Sequence, residues 1–364
     1  MATREFDLVF RAVNALEIKQ KTAAGQCHVD VGFWGGAIPG NIADLRGLHD
    51  AGVFGFKCFM TDSRVEEFPP LSGTELGEYL GELASLAAMM IVHAEDTAVL
   101  GQAPPPQGRR YSDFLASRPH GSEDVAITQL IDAARRTGAS VHLLHLLHLL
   151  HLSSANAVPM IRAARRDGVR MTVETCPHYL TFEAQAIADG ATQFKCCPPI
   201  RGVDNREELW RALGSGDIDC IVSDHSPSTP ELKHLDPADP SWGEFGEAWG
   251  GISSLQVGLS AVWTEARLRG DTLVDVVGWM AEQPARIAAL RHKGKITPGY
   301  HADFAVFAPD DAYVVDPKRL LHRNPVTPYA QRALAGIRRG TWLRGRRILA
   351  EGGPCGHLIS RGAA

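Results

Sequence analysis

Short apolar runs alternate along the chain with longer stretches in which apolar residues recur every three or four positions. The runs at 27–33, 55–60, 89–94, 141–152, 170–175 and 218–223 are near-continuously apolar, as strands covered on both faces should be. The stretches 41–51, 74–88, 122–137, 155–167, 205–213 and 253–269 carry the helical period. Ser122, followed by Glu123 and Asp124, reads as a helix cap. Gly52, Gly138 and Gly168 stand where helices end. A repeated strand-then-helix order predicts βαβ units and a parallel sheet. Residues 194–200 are apolar as well, but Pro198 and Pro199 make them a loop. Beyond residue 290 the texture changes to turns, with antiparallel strands expected at 302–307 and 337–348.

Composition narrows the class. The chain has 364 residues, 45% hydrophobic and 22% charged, which excludes a disordered or fibrous protein. The net charge of -5, with no basic block, argues against nucleic acid or an anionic membrane as partner. The longest apolar run, near 83–92, is too short to span a bilayer. No apolar signal region opens the chain, and seven cysteines do not form an even framework. A reducing cytoplasm is the expectation.

The reactive side chains stand at strand ends. Lys57 lies inside an apolar strand, where it is either a snorkelling end residue or a desolvated amine able to take up carbon dioxide as a carbamate. His93, His151 and Asp224 end three further strands. Each alone is an ordinary core residue, but at one end of successive parallel strands all four point into one volume. Nitrogen and carboxylate donors of this kind suit zinc.

The strings DVGFWGGAIPGN (30–41), GFKCFM (55–60), VHAED (92–96), HLSSA (151–155), ETCPHYL (174–180), KCCPPIR (195–201), SDHSP (223–227) and WGGISSLQ (249–256) resemble the allantoinase branch of the cyclic amidohydrolases. GKITPGYHADF (294–304) is similar to their returning C-terminal β-sandwich. The pattern is shared with hydantoinases, dihydropyrimidinases and dihydroorotases. The resemblance implies a TIM-type (β/α)8 barrel, an α/β fold, over 15–290. It implies a remnant sandwich strand at 1–14 and a β-sandwich part over 291–364. It implies hydrolysis of the cyclic amide of allantoin to allantoate, in purine catabolism, by a metal-activated hydroxide. Lys57 matches the carboxylated lysine bridging two zinc ions, and His93 and His151 match ligands of the second. Asp224 matches a ligand of the first and the proton shuttle. Cys197, Pro198, Gly250 and Gly251 match the walls around the ring. His178 and His225 are candidates for a supporting shell or plain core residues. The family is tetrameric, so a homo-oligomer is expected.

Two departures stand out. The family carries a His-x-His pair for the first metal at the end of its first barrel strand. This chain has no His-x-His. Residues 6–12 resemble an opening sandwich strand and 15–19 the helix before the third barrel strand, so an internal deletion near Val13–Asn14 is expected. Six barrel strands, like the third to the eighth, should then remain, with two open edges and fewer than two metals. The second departure is His142, His145, His148 and His151, three apart with Leu-Leu between. In a strand such residues point to opposite sides. A neutral repeat expansion is expected, with His151 in the functional register. An active hydrolase, a non-catalytic relative and a damaged chain all fit these residues.

Overall fold

The computed structural model describes residues 12–137, 147–349 and 351–362. The chain begins there with α1 (Val13–Ala23), β1 (Gly35–Gly36), α2 (Leu45–Asp50), β2 (Phe56–Phe59), α3 (Gly73–Ser85) and β3 (Met90–His93). Three helices follow, α4 (Thr97–Gln102), α5 (Tyr111–Ala116) and α6 (His120–Arg136), then β4 (Leu147–Leu149), α7 (Val158–Arg166) and β5 (Met171–Thr175). Next come α8 (Pro177–Thr181), α9 (Val203–Gly214), β6 (Cys220–Ile221) and α10 (Gly258–Arg269).

The six strands form one parallel sheet in the order β1-β2-β3-β4-β5-β6. Register is set by pairs such as Lys57 with Ile91 and Phe59 with His93. Helices cover the outer face, where Phe56, Val92, Leu147, Leu149 and Val173 enter the main core. The inner face carries a second, small cluster of Met89, Ile91 and Cys220, with Trp34, Leu150 and Val222 against it. Strands sandwiched in this way need apolar residues on both sides. This is the expected TIM-type α/β arrangement with six strands, and β1 and β6 are its two edges.

An antiparallel sheet of β7 (Phe304–Val314), β8 (Ala333–Leu343) and β9 (Arg346–Ile348) follows. It docks on α10, where Ser260 donates to the Gly336 carbonyl at 2.8 Å and the Ala335 amide donates to Thr264 at 2.8 Å. Asp30, ahead of β1, ties this sheet to the barrel through Lys293 at 2.8 Å and Arg344 at 2.5 Å.

Several local expectations need correction. No strand forms over 27–33 beyond a bridge of Val31 to Leu358; pairing begins at Gly35, where the glycine lies against the Phe56 ring. Ser122 is not a cap. Helix α6 starts at His120 after Pro119, and Ser122 donates from its first turn to the Pro119 carbonyl at 2.8 Å. Helix α3 starts at Gly73 on a Ser72–Glu75 capping box, the reciprocal pair that satisfies two free helix donors. Val13 and Asn14 are helical rather than part of a strand. Ala12 is a bend, and residues 1–11 of the expected remnant strand, Gly138, His142 and His145 lie outside the described residues.

Candidate active site

Residues of β2 and β3 and those just past β4 and β6 open into one cavity of about 180 Å³. Lys57, His93, His151 and Asp224 all line it, as do Cys197, His225, Gly250 and Gly251. Pro198 does not. Its carbonyl accepts the Tyr179 hydroxyl at 2.8 Å, and its peptide bond with Cys197 is cis.

Backbone geometry brings two of these residues inward. His151 has φ 38° and Asp224 φ 41°, a left-handed conformation that ordinary residues adopt rarely. Strand alternation turns His148 and Leu150 inward and would turn His151 out. The left-handed bend past the strand end reverses that. The expectation that His148 and His151 point to opposite sides is therefore overturned, because β4 ends at Leu149. Both are buried, at 3% and 4% exposure. His148 meets Thr172 at 2.7 Å and Glu174 at 2.7 Å, below the cavity.

His93 Nδ1 faces His151 Nε2 at 3.0 Å. The other nitrogen of His93 meets the Glu95 carboxylate at 2.8 Å. A carboxylate only accepts, so Nε2 carries the proton and the Nδ1 lone pair points at His151. Glu95 is itself held by Arg118 at 2.9 and 2.5 Å. Burial would raise the Glu95 pKa, but Arg118 and His93 outweigh it and hold the carboxyl well below the usual range. His151 Nδ1 is buried without a partner. Burial, with His93 beside it, lowers its pKa to about 3, so the ring is neutral. Two ring nitrogens 3.0 Å apart match two ligands of one ion, given metal–nitrogen distances of about 2.0 Å. The carboxylate behind His93 is the usual orienting partner of such a ligand.

Lys57 sits on the cavity floor over the Phe59 ring, 4.7 Å from its centroid. Burial lowers its pKa, opposed by Asp224 and Glu174. Burial alone would raise the Asp224 pKa, but His151, Lys57, His178 and His93 together bring it down. His178 is fully buried with both ring nitrogens unpartnered. Burial lowers its pKa to about 4, and it stands with Cys176 beside Asp224. His225 accepts the Ser254 and Leu255 amides at 3.1 and 3.2 Å, which leaves its other nitrogen as the donor.

The walls are equally determined. Gly251 has φ 136°, and a Cβ there would stand 2.5 Å from the Ser226 carbonyl. Only glycine suits that position. The Gly251 amide donates to the Lys195 carbonyl at 2.9 Å, and Lys233 Nζ donates to the Lys195 and Gly251 carbonyls at 3.1 and 2.7 Å. Burial lowers the Lys233 pKa to about 7. Glu123 accepts the Ser153 and Ser154 amides at 2.9 and 3.1 Å, and Arg201 pairs with it at 2.7 Å. The polar residues that read as a helix cap thus hold the loop carrying His151. Glu95, Arg118, Lys195, Lys233 and Glu123 were not singled out from sequence. Only Glu95, two residues after His93, left a local signal.

Strand-end histidines, a lysine and an aspartate converging on one cavity of a parallel α/β sheet define a metal-dependent amidohydrolase. No protein-family model matches the chain. It is 53% identical over 352 residues to the allantoinase of Streptomyces avermitilis, covering 96% of this chain and 76% of that one. It is 44% identical to the allantoinase of Saccharomyces cerevisiae, covering 92% and 71%. The chain belongs to the allantoinase family. Among solved structures, the L-hydantoinase (dihydropyrimidinase) from Arthrobacter aurescens superposes with a TM-score of 0.84 at 28% identity, covering 96% of this chain and 78% of that one. The D-hydantoinase from Thermus sp. shares the fold, with a TM-score of 0.85 at 21% identity, covering 97% and 78%.

Proposed function

We propose that the chain hydrolyses the ring amide of allantoin to allantoate at the strand-end cavity. The observation that carries this is the His93–His151 pair, 3.0 Å apart and oriented by Glu95. His93 and His151 would hold one divalent ion, with the carbamate of Lys57 as a further oxygen donor and Asp224 on the side of the first metal position. Zinc is the first choice for this donor set, and other divalent ions suit it too. Such an ion supplies Lewis acidity toward the carbonyl oxygen and makes water a stronger nucleophile.

The chain's own residues do the rest. An Asp224 carboxylate oxygen takes the proton of the attacking water and delivers it to the leaving ring nitrogen. His178 and His225 support Asp224 from either side. Cys197, Gly250 and Gly251 wall the ring, and Lys233 ties their loops together.

The missing His-x-His pair leaves the first metal position with only the Lys57 carbamate and Asp224. This favours a one-metal site, and a chain impaired in turnover is the competing reading. The domain division that fits is 15–290 for the barrel and 291–364 for the sandwich part. A homotetramer fits the family. All seven cysteines are free, in keeping with a reducing compartment, and no helix among the described residues is long and apolar enough to cross a membrane. Metal analysis of the purified protein, paired with allantoin turnover, tests this reading. One metal with turnover supports it, and no metal or no turnover contradicts it.

A further inference from the structure

One cation in the cavity has no role in the mechanism above. Lys195 lines the cavity yet is only 2% exposed. Its ammonium has three protons to donate, and the acceptor that faces it is the Gly246 carbonyl at 3.1 Å. No carboxylate ion-pairs with it among the described residues. Its other close neighbour is the Phe114 ring, 5.4 Å from Nζ to the centroid. A buried ammonium short of acceptors is costly unless a ligand supplies one. The position is also held firmly, because the Lys195 carbonyl receives both the Gly251 amide and Lys233 Nζ.

Lys195 and Lys57 line the same cavity but answer to different charged neighbours. Lys57 is under the influence of Asp224 and Glu174, whereas Lys195 answers to Cys197 first and then to Arg64, Arg118 and Glu247. Arg118 is already committed to Glu95. Arg64 is exposed and shares the Gly246 carbonyl. The cavity lining around Lys195 is therefore rich in donors, and Lys195 and Arg64 share one carbonyl acceptor, that of Gly246.

We propose that Lys195 is a specificity-determining residue that donates to the carbonyl oxygen of a ureido substituent on the ring, selecting ureido-bearing cyclic amides over the bare ring. Allantoin is hydantoin carrying that substituent, so the proposal names the recognition element and rests on the cyclic-amide reading of the cavity. Burial lowers the Lys195 pKa to about 8, which leaves the amine protonated at neutral pH. A charged donor to a neutral oxygen discriminates against a ligand that lacks the oxygen by about ten- to a hundredfold.

The test is calorimetric binding of allantoin and of unsubstituted hydantoin to the full chain, as wild type, Lys195→Met and Lys195→Arg. The expected result is that Lys195→Met weakens allantoin at least tenfold and leaves hydantoin within twofold, while Lys195→Arg keeps most of the preference. Retained hydantoin binding shows that the variant is folded. Equal weakening of both ligands, or of neither, overturns the role of Lys195 alone. Wild-type protein that binds neither ring overturns the reading of the cavity and this inference with it.

Discussion

His93 and His151 meet nitrogen to nitrogen at 3.0 Å, although 58 positions separate them. Two strand ends create the contact, one regular and one bent into the left-handed region at His151. If the pair holds a metal, His151→Ala removes it, whereas His142→Ala leaves it in place. Metal content after dialysis reads both, and the reverse pattern would move the functional register to another histidine of the repeat.

Glu95 orients His93 without facing the cavity. Glu95→Gln is expected to weaken metal binding about 10–100-fold, the usual effect of losing such a partner. Competition with a chelator measures it. Unchanged affinity would mean that His93 needs no orientation.

Lys57 is expected to carry a carbamate. Protein equilibrated with carbon-13 bicarbonate should show a carbamate carbon resonance that Lys57→Ala lacks. Turnover of the variant should fall by more than about a hundredfold, the scale of a lost transition-state contact. A resonance that survives the substitution contradicts the assignment.

Arg201 and Glu123 form a buried pair, each side chain 2% exposed, behind the loop that carries His151. Arg201→Met leaves the Glu123 carboxylate uncompensated. The expected loss is about 3–5 kcal/mol of stability, read as a lower urea midpoint. A loss below about 1 kcal/mol would place this pair with ordinary surface ion pairs.

Asp30 links barrel and appendage. Burial would raise its pKa, but Arg344, Lys293 and the His357 amide outweigh that and hold it well below the ordinary 3.8. A depressed carboxyl contributes stability above its unfolded pKa and loses it as pH falls toward the folded one. Urea midpoints should therefore drop below about pH 4 in the wild type. Asp30→Asn should start lower at pH 7 and lose less on acidification. Parallel acid limbs for the two proteins would contradict this.

Much of the scaffold was legible because buried parallel strands announce themselves as unbroken apolar runs, as at 55–60 and 89–94. The exceptions have local causes. Residues 27–33 are apolar but pair only through Val31, and the sheet waits for Gly35, where a bare backbone fits against Phe56. Ser122 looked like a cap because Glu123 and Asp124 follow it, yet Glu123 serves the Ser153 and Ser154 amides across the fold. Lys57, His93 and Asp224 stand in or just after apolar runs and could be read there, while His151 is picked out of the histidine repeat by its Leu-Ser-Ser neighbours and the family resemblance. Lys195 and Lys233 could not be read in this way, since their significance lies in what their ammonium groups lack and in which carbonyls they reach.

The central claim is that this cavity is a metal-dependent allantoin site built on His93 and His151. The most direct measurement is metal stoichiometry of the purified chain together with allantoate formation, for wild type and His151→Ala. The account predicts one divalent ion per wild-type chain, turnover that chelation abolishes, and neither metal nor turnover in the variant. A wild-type chain without metal, or turnover indifferent to His151, would contradict it.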